Sequence, residues 1–266
     1  MRDAARLYVR YVALSLRGQL QYRGSTIMAG IGNLLVTGVE LLGVWALFDR
    51  FGQLRGYSFA EVALLYGMAN VAFAIAEMLG RGFKIFDQLV KSGDFDRLLL
   101  RPRSTAFQVA AQHLELARLG RLSQGLAVLV WSLASLDLLR PAPELALMVA
   151  TIVGGACTFL GVFVLQATVA FWTVESLELF AIVTYGGVET AQYPLSIYSE
   201  GFRRFFTWVI PLAFLGWIPG LVIMGRPERF GPEWLAWVSP AFGVLFLGVC
   251  LQAWRLGERH YRSTGS

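Results

Sequence analysis

Charge is scarce in this chain, and nucleophilic and metal-binding side chains are scarcer. Only 15% of its 266 residues are Asp, Glu, Lys or Arg, against about 25% in an ordinary soluble domain. It has two histidines and two cysteines. His113 stands near Glu115 but has no partner at metal-ligand spacing, and His260 lies in a basic tail. No H-E-x-x-H, C-x-x-C or G-x-S-x-G occurs, which removes the common zinc, dithiol and serine-nucleophile chemistries. Neither Lys84 nor Lys91 follows a glycine, so the chain has no P-loop and any nucleotide chemistry belongs to another chain. No catalytic, cofactor-binding or metal-ligating residue is therefore expected here. Cys157 and Cys250 both fall inside apolar runs and read as small core residues, not a disulfide. Lysine is nearly absent: 21 of the 23 basic residues are arginine. They are spread over termini and loops, which fits membrane orientation and argues against nucleic-acid binding. The first 23 residues hold five arginines and no unbroken apolar core, so no secretory signal peptide is expected.

What is abundant is apolar sequence, at 56% of residues and a mean hydropathy of +0.56. A membrane span needs about 20 mostly apolar residues. Six such stretches stand out: 26–48, 59–80, 110–136, 145–172, 175–192 and 234–254. A seventh, 205–224, is broken by Pro211, Gly216, Pro219 and Gly220. Proline removes a helical donor and clashes with the preceding turn, so this stretch reads as a re-entrant helical hairpin, a backbone that survives at membrane depth when protein or a cavity surrounds it. The expected fold is an all-α polytopic membrane protein forming one domain over residues 1–266.

Charge placement orients it. With both termini in the cytoplasm and 205–224 re-entrant from outside, sixteen basic residues lie inside: Arg2, Arg6, Arg10, Arg17, Arg23, six in 81–105, Arg118, Arg121, Arg255, Arg259 and Arg262. Seven lie outside: Arg50, Arg55, Arg140, Arg203, Arg204, Arg226 and Arg229. The positive-inside rule favours this arrangement over a seventh full span. Residues 3–22 form an amphipathic basic helix suited to the headgroup plane. The third helix is expected to start at a Thr105-x-x-Gln108 capping box and to run unbroken over 106–136. At 1.5 Å per residue that is about 46 Å, so its first turns, with Gln108, Gln112, Glu115 and Arg118, should project into the cytoplasm.

Four polar residues inside the apolar stretches, Glu40, Glu77, Gln166 and Glu189, are candidates for lining a translocation path, because intramembrane charge is costly and marks function. Glu77 and Glu189 are also close enough to span ends to reach water or an arginine.

The densest charge cluster is RGFKIFDQLVKSGDFDRLLLRPRST, residues 81–105, with six basic residues and three aspartates. Residues 83–91 read as a short helix. Gly93 suits a left-handed stop, Asp94 can cap a second helical turn, and Pro102 ends it. Phe83, Phe86, Leu89 and Val90 give the first helix an apolar side. Phe83 and Phe86, three apart, share a face on which a cytoplasmic partner could dock. Asp96 is expected to fix the turn through backbone amides or Arg97 and Arg101.

The segment G-D-F-D-R-L-L-L-R-P-R-S, residues 93–104, resembles the stretch that follows the second span of ABC-2-type transporter permeases. The likeness extends to the basic N-terminal helix, the six spans, the Tyr193-Pro194 step, the broken stretch around Pro211 and Pro219, and the ending W-R-L-G-E-R-H-Y-R-S-T-G-S. It is closest to compact bacterial permeases, and only about ten residues, 49–58, separate the first two spans. The resemblance implies a permease subunit of an ATP-driven exporter in the cytoplasmic membrane. It would pair with a second permease, identical or related, above two ATPase subunits that hold ATP and magnesium. Phe83–Lys91 would be the coupling helix, Gly93, Asp94 and Asp96 would shape the turn after it, and 205–224 would close the outer end of the path. The alternatives are a self-sufficient secondary transporter or channel, and a non-transporting membrane scaffold.

Overall fold

The computed structural model describes residues 2–138, 143–173, 177–226 and 232–261, with the side chains of 2–9, 12 and 177–182 outside that description. Among the described residues there is no strand. Twelve α-helices follow in order: α1 Arg2–Gln21, α2 Arg23–Phe51, α3 Phe59–Lys84, α4 Phe86–Lys91, α5 Asp94–Leu99, α6 Thr105–Gln112, α7 Leu119–Ser135, α8 Pro143–Val169, α9 Leu177–Ala191, α10 Glu200–Trp208, α11 Trp217–Ile223 and α12 Trp234–Glu258.

Helix α3 is the centre of the bundle. It packs between α7 and α8, while α12 lies along α8 and α2 along α7. Close approach depends on missing side chains, the usual device where lipid supplies no hydrophobic drive between helices. A methyl group at Gly243 of α12 would fall inside the Gly154 carbonyl of α8. One at Gly120 would strike the Gly30 carbonyl of α2, and one at Gly82 the Val109 carbonyl of α6. The first connection, between α2 and α3, is a tight turn with Gly52, Arg55 and Gly56 at positive φ. Ser58 and Glu61 close it with a reciprocal capping box. Arg226, just past α11, ties the turn down by pairing with Glu61 at 2.8 Å and donating to the Gly56 carbonyl.

Several expectations change. Among the described residues, four helices are long and apolar enough to cross a membrane, or five if α10 and α11 count as one span. The third and fifth expected spans, 110–136 and 175–192, are not confirmed: within the described residues α7 has 17 residues and α9 has 15, and residues 174–176 lie outside the described set, as do Arg140, Arg229 and Arg262. The third helix is not continuous over 106–136. It stops at Gln112, leaves residues 113–115 extended, and resumes through a 3-10 turn at Leu116–Arg118. A break there needs partners for the freed backbone groups, and α1 supplies them. Ser15 Oγ both donates to the Leu114 carbonyl and accepts from its amide at 3.2 Å. Gln19 donates to the same carbonyl and accepts from the Leu116 amide at 2.9 Å. The Glu115 amide donates to Met78 of α3. The expected capping box is also absent: Gln108 is buried and donates to the Leu98 and Arg103 carbonyls. In the 205–224 stretch the predicted break is present, with α10 and the following helical segment bent by 76° about Pro211.

Candidate functional site

Two polar constructions stand out, one at the end of the bundle that carries α4 and α5 and one halfway along it. At the end, α3 runs through Phe83 to Lys84, turns at Ile85 and restarts as α4, so the helix expected over 83–91 is the last turn of α3 plus α4. Gly93 has φ +72°, the left-handed stop read from the sequence. Asp94 is not the cap of α5. Gly93 holds that position, while the Asp94 carboxylate accepts from the Ser92 hydroxyl at 2.9 Å and pairs with Arg97 at 3.1 Å. Asp96 faces the Tyr261 hydroxyl beyond α12. Burial first, and then that carboxylate, push the phenol from 10.0 up to about 12.

The aromatic face of this segment points inward. Phe86 has no exposed surface and Phe83 is 4% exposed. Phe86 packs edge-on against Trp254 (4.7 Å between ring centroids), Phe95 (5.0 Å) and Phe171 (5.1 Å), and Phe83 against Trp254. Phe95 in turn meets Tyr261 at 4.9 Å. The Trp254 indole donates to Thr105, whose hydroxyl donates to Glu258. The two phenylalanines expected on a docking face thus hold α4 and α5 onto α8 and α12. Val90 and Leu98 are buried with them, and Leu89 is half-buried. Leu99 and Leu100 remain outside, the latter 87% exposed.

The same end carries a charge network. Glu77, 1% exposed, pairs with Lys84 at 2.6 Å and Arg118 at 3.4 Å. Glu115 pairs with Arg118 at 3.2 Å and Arg81 at 3.7 Å. Arg118 also donates to Asn33 of α2, and Lys84 to the Tyr185 hydroxyl of α9. Three elements, α2, α3 and α9, are joined to the break after α6 by these bonds, and the charge of Glu77 is balanced within the chain.

Halfway along α3 the second construction centres on Arg121, which sequence reasoning assigned to the membrane face. Its guanidinium lies over the Phe73 ring at 5.1 Å. The residue is 8% exposed, and its Nε and Nη1 have no hydrogen-bond partner. Glu189 of α9, an exposed residue, lies within electrostatic reach of Arg121 and of Glu40 of α2. Tyr66, which donates to the Thr37 carbonyl at 2.9 Å, borders the group beside Gln124. Glu40 Oε2 is buried without a partner. Of the four residues proposed to line a path, the fold brings Glu40 and Glu189 together, sends Glu77 to the charge network, and buries Gln166 on α8. Arg121 could have been found from its spacing: it opens α7 and shares a face with Gln124, three residues on. Among the described residues no three His, Cys, Asp or Glu side chains could hold a metal ion.

A bundle of long apolar helices, with a charge network at one end and a buried arginine in its middle, is an integral membrane protein. The sequence profile of the family described as ABC-2 family transporter protein matches residues 34–265, which is most of the chain. The protein belongs to that family, and so is a permease component of an ABC transporter. No curated protein and no solved structure matches it.

Proposed function

We propose that this chain is the permease subunit of an exporter in the cytoplasmic membrane, paired with a second permease and driven by two ATPase subunits that carry ATP and magnesium. The observation that carries the reading is the segment 81–105: it is held to α8 and α12 by buried aromatics yet leaves Leu99 and Leu100 bare between Arg97 and Arg101. A soluble partner meeting an apolar tip within a basic rim would bury the leucines and satisfy the arginines, the usual anatomy of an interface. A push on that tip would pass through Phe86 and Phe95 to Trp254 and Phe171, that is, to the ends of α12 and α8. Gly93, Asp94 and Asp96 hold the turn between the two short helices, and Phe83, Phe86, Leu89 and Val90 act as its internal seat. Glu40 and Glu189, with Arg121, are the polar part of the path. Glu77 sets the packing of its inner end, and Gln166 lies deeper on α8. Both termini are cytoplasmic, α1 lies in the headgroup layer, and the bent pair α10 and α11 dips in from outside and returns.

Leu100→Glu should release the ATPase subunit on co-purification while the variant still inserts and elutes as folded protein. Wild-type recovery of the ATPase and wild-type stimulated hydrolysis with Leu100→Glu would sink the docking assignment.

A further inference from the structure

The region around Arg121 has the parts of a binding site, and its chemistry selects a ligand. A buried guanidinium with two unpartnered nitrogens is costly to hold, since its lost hydration is left uncompensated. The Phe73 ring, 5.1 Å from the guanidinium, offsets only part of that cost. Glu40 and Glu189 are near but form no ion pair with Arg121. Glu40 Oε2 is buried and unpartnered as well. An anionic group and a hydrogen-bond donor, carried by one molecule, would satisfy the set.

The apolar half of that molecule is indicated by the adjoining space. Between α2 and α7 runs a groove of about 590 Å³, bordered by Leu41, Trp45, Phe59, Val128 and Trp131 with Gln124 among its lining residues. Gln124, Val128 and Trp131 are four and three residues apart and lie along one face of α7, continuing the line from Arg121. The groove is apolar throughout except at Gln124, about one helical turn from Arg121 on α7, so polar and apolar ends are ordered as in an amphiphile. A volume of 300–1,000 Å³ is usual for a small-molecule site.

We propose that Arg121, Gln124 and the α2/α7 groove bind a zwitterionic amphiphile, the guanidinium taking its phosphate or carboxylate, Glu40 and Glu189 its amine, and the groove its acyl chain. This rests on the permease reading for its role in transport, but not for the binding itself. The acidic pair makes a purely anionic headgroup a poorer match than one carrying both signs. A planar guanidinium suits a phosphate or carboxylate through two parallel hydrogen bonds, which a lysine at 121 would not reproduce.

The test uses the full chain in nanodiscs, without any ATPase. The probe is lysophosphatidylethanolamine with a brominated chain, which quenches the fluorescence of Trp45 and Trp131 when seated. Saturable quenching is expected, removed by Trp45→Phe with Trp131→Phe. Arg121→Gln should raise the Kd about tenfold or more, and Arg121→Lys should recover only part of it. Val128→Trp, which fills the groove and leaves the charges alone, should abolish quenching. A brominated monoacylglycerol should bind weakly and be indifferent to Arg121→Gln, and phosphoethanolamine without a chain should not compete at equal concentration. Equal Kd for wild type, Arg121→Gln and Val128→Trp overturns the site. So does dissociation of the permease pair by Arg121→Gln with no change in quenching, which would assign the arginine to a subunit contact. If Arg121→Gln does not fold, the Val128→Trp and monoacylglycerol comparisons decide alone. Binding without ATPase association would leave the site standing and overturn the permease role; ATPase association with no binding would do the reverse.

Discussion

At the scale of single residues, the aromatic side chains at the end of the bundle change what the coupling segment can be. Phe86 touches three other rings and no solvent. Phe86→Ala should therefore cost about 3–5 kcal/mol, as large-to-small changes in a packed core do, and show as lost thermal stability and poor yield. A variant of wild-type stability that has merely lost its partner would contradict that account. Tyr261 gives a test with a sign. Its phenol sits near 10 when unfolded and is pushed up to about 12 in the fold, so folding favours the neutral form. That contribution is complete below pH 10 and disappears as the pH rises through 12. Tyr261→Phe should flatten the alkaline fall in melting temperature between those values; an unchanged fall would place its origin elsewhere. Glycine has a different role at position 93, where φ of +72° makes any side chain strained.

At the scale of elements, the third apolar stretch shows how a neighbour overrides local pattern. Residues 106–136 carry a helical sequence with no Pro, and nothing in that stretch forbids a single helix. The break at 113–115 exists because Ser15 and Gln19 of α1 hydrogen-bond the Leu114 and Leu116 backbone, about a hundred residues away in sequence. Ser15→Ala combined with Gln19→Leu should remove those partners and expose or rearrange the break. Hydrogen exchange at residues 113–118 should then quicken by an order of magnitude or more, about 1.4 kcal/mol per tenfold, while exchange in α8 stays unchanged. Slow exchange at 113–118 in the double variant would mean that α1 is not what holds the break. The 76° bend at Pro211 is the opposite case, since proline carries its own reason to interrupt a helix.

At the scale of the whole molecule, the arrangement of charge predicts how the chain sits in the bilayer. Lys84, Arg81, Arg118 and the loop after α4 gather at one end with the end of α12, and the tight 49–58 turn lies at the other. With the native Cys157 and Cys250 replaced, a cysteine at Ser58 should react with an impermeant reagent from outside intact cells, and one at Ser266 only after permeabilisation. Labelling of Ser266 from outside would overturn the orientation. Composition and run length alone established an all-helical membrane protein, and the 93–104 motif with its family resemblance established the kind of transporter, because the bilayer imposes length and polarity on each segment separately. Local chemistry likewise determined the Gly93 turn and the break at Pro211. Tertiary structure decided the rest: that Phe83 and Phe86 face inward, that the third helix is broken, that Glu77 is paired with Lys84 and Arg118, and that Glu189 comes within electrostatic reach of Glu40 and Arg121. Each of these depends on which helix stands beside which, a matter of side-chain fit at crossings such as Gly154 with Gly243 and Gly120 with Gly30, and no periodicity within one segment encodes the identity of its neighbour.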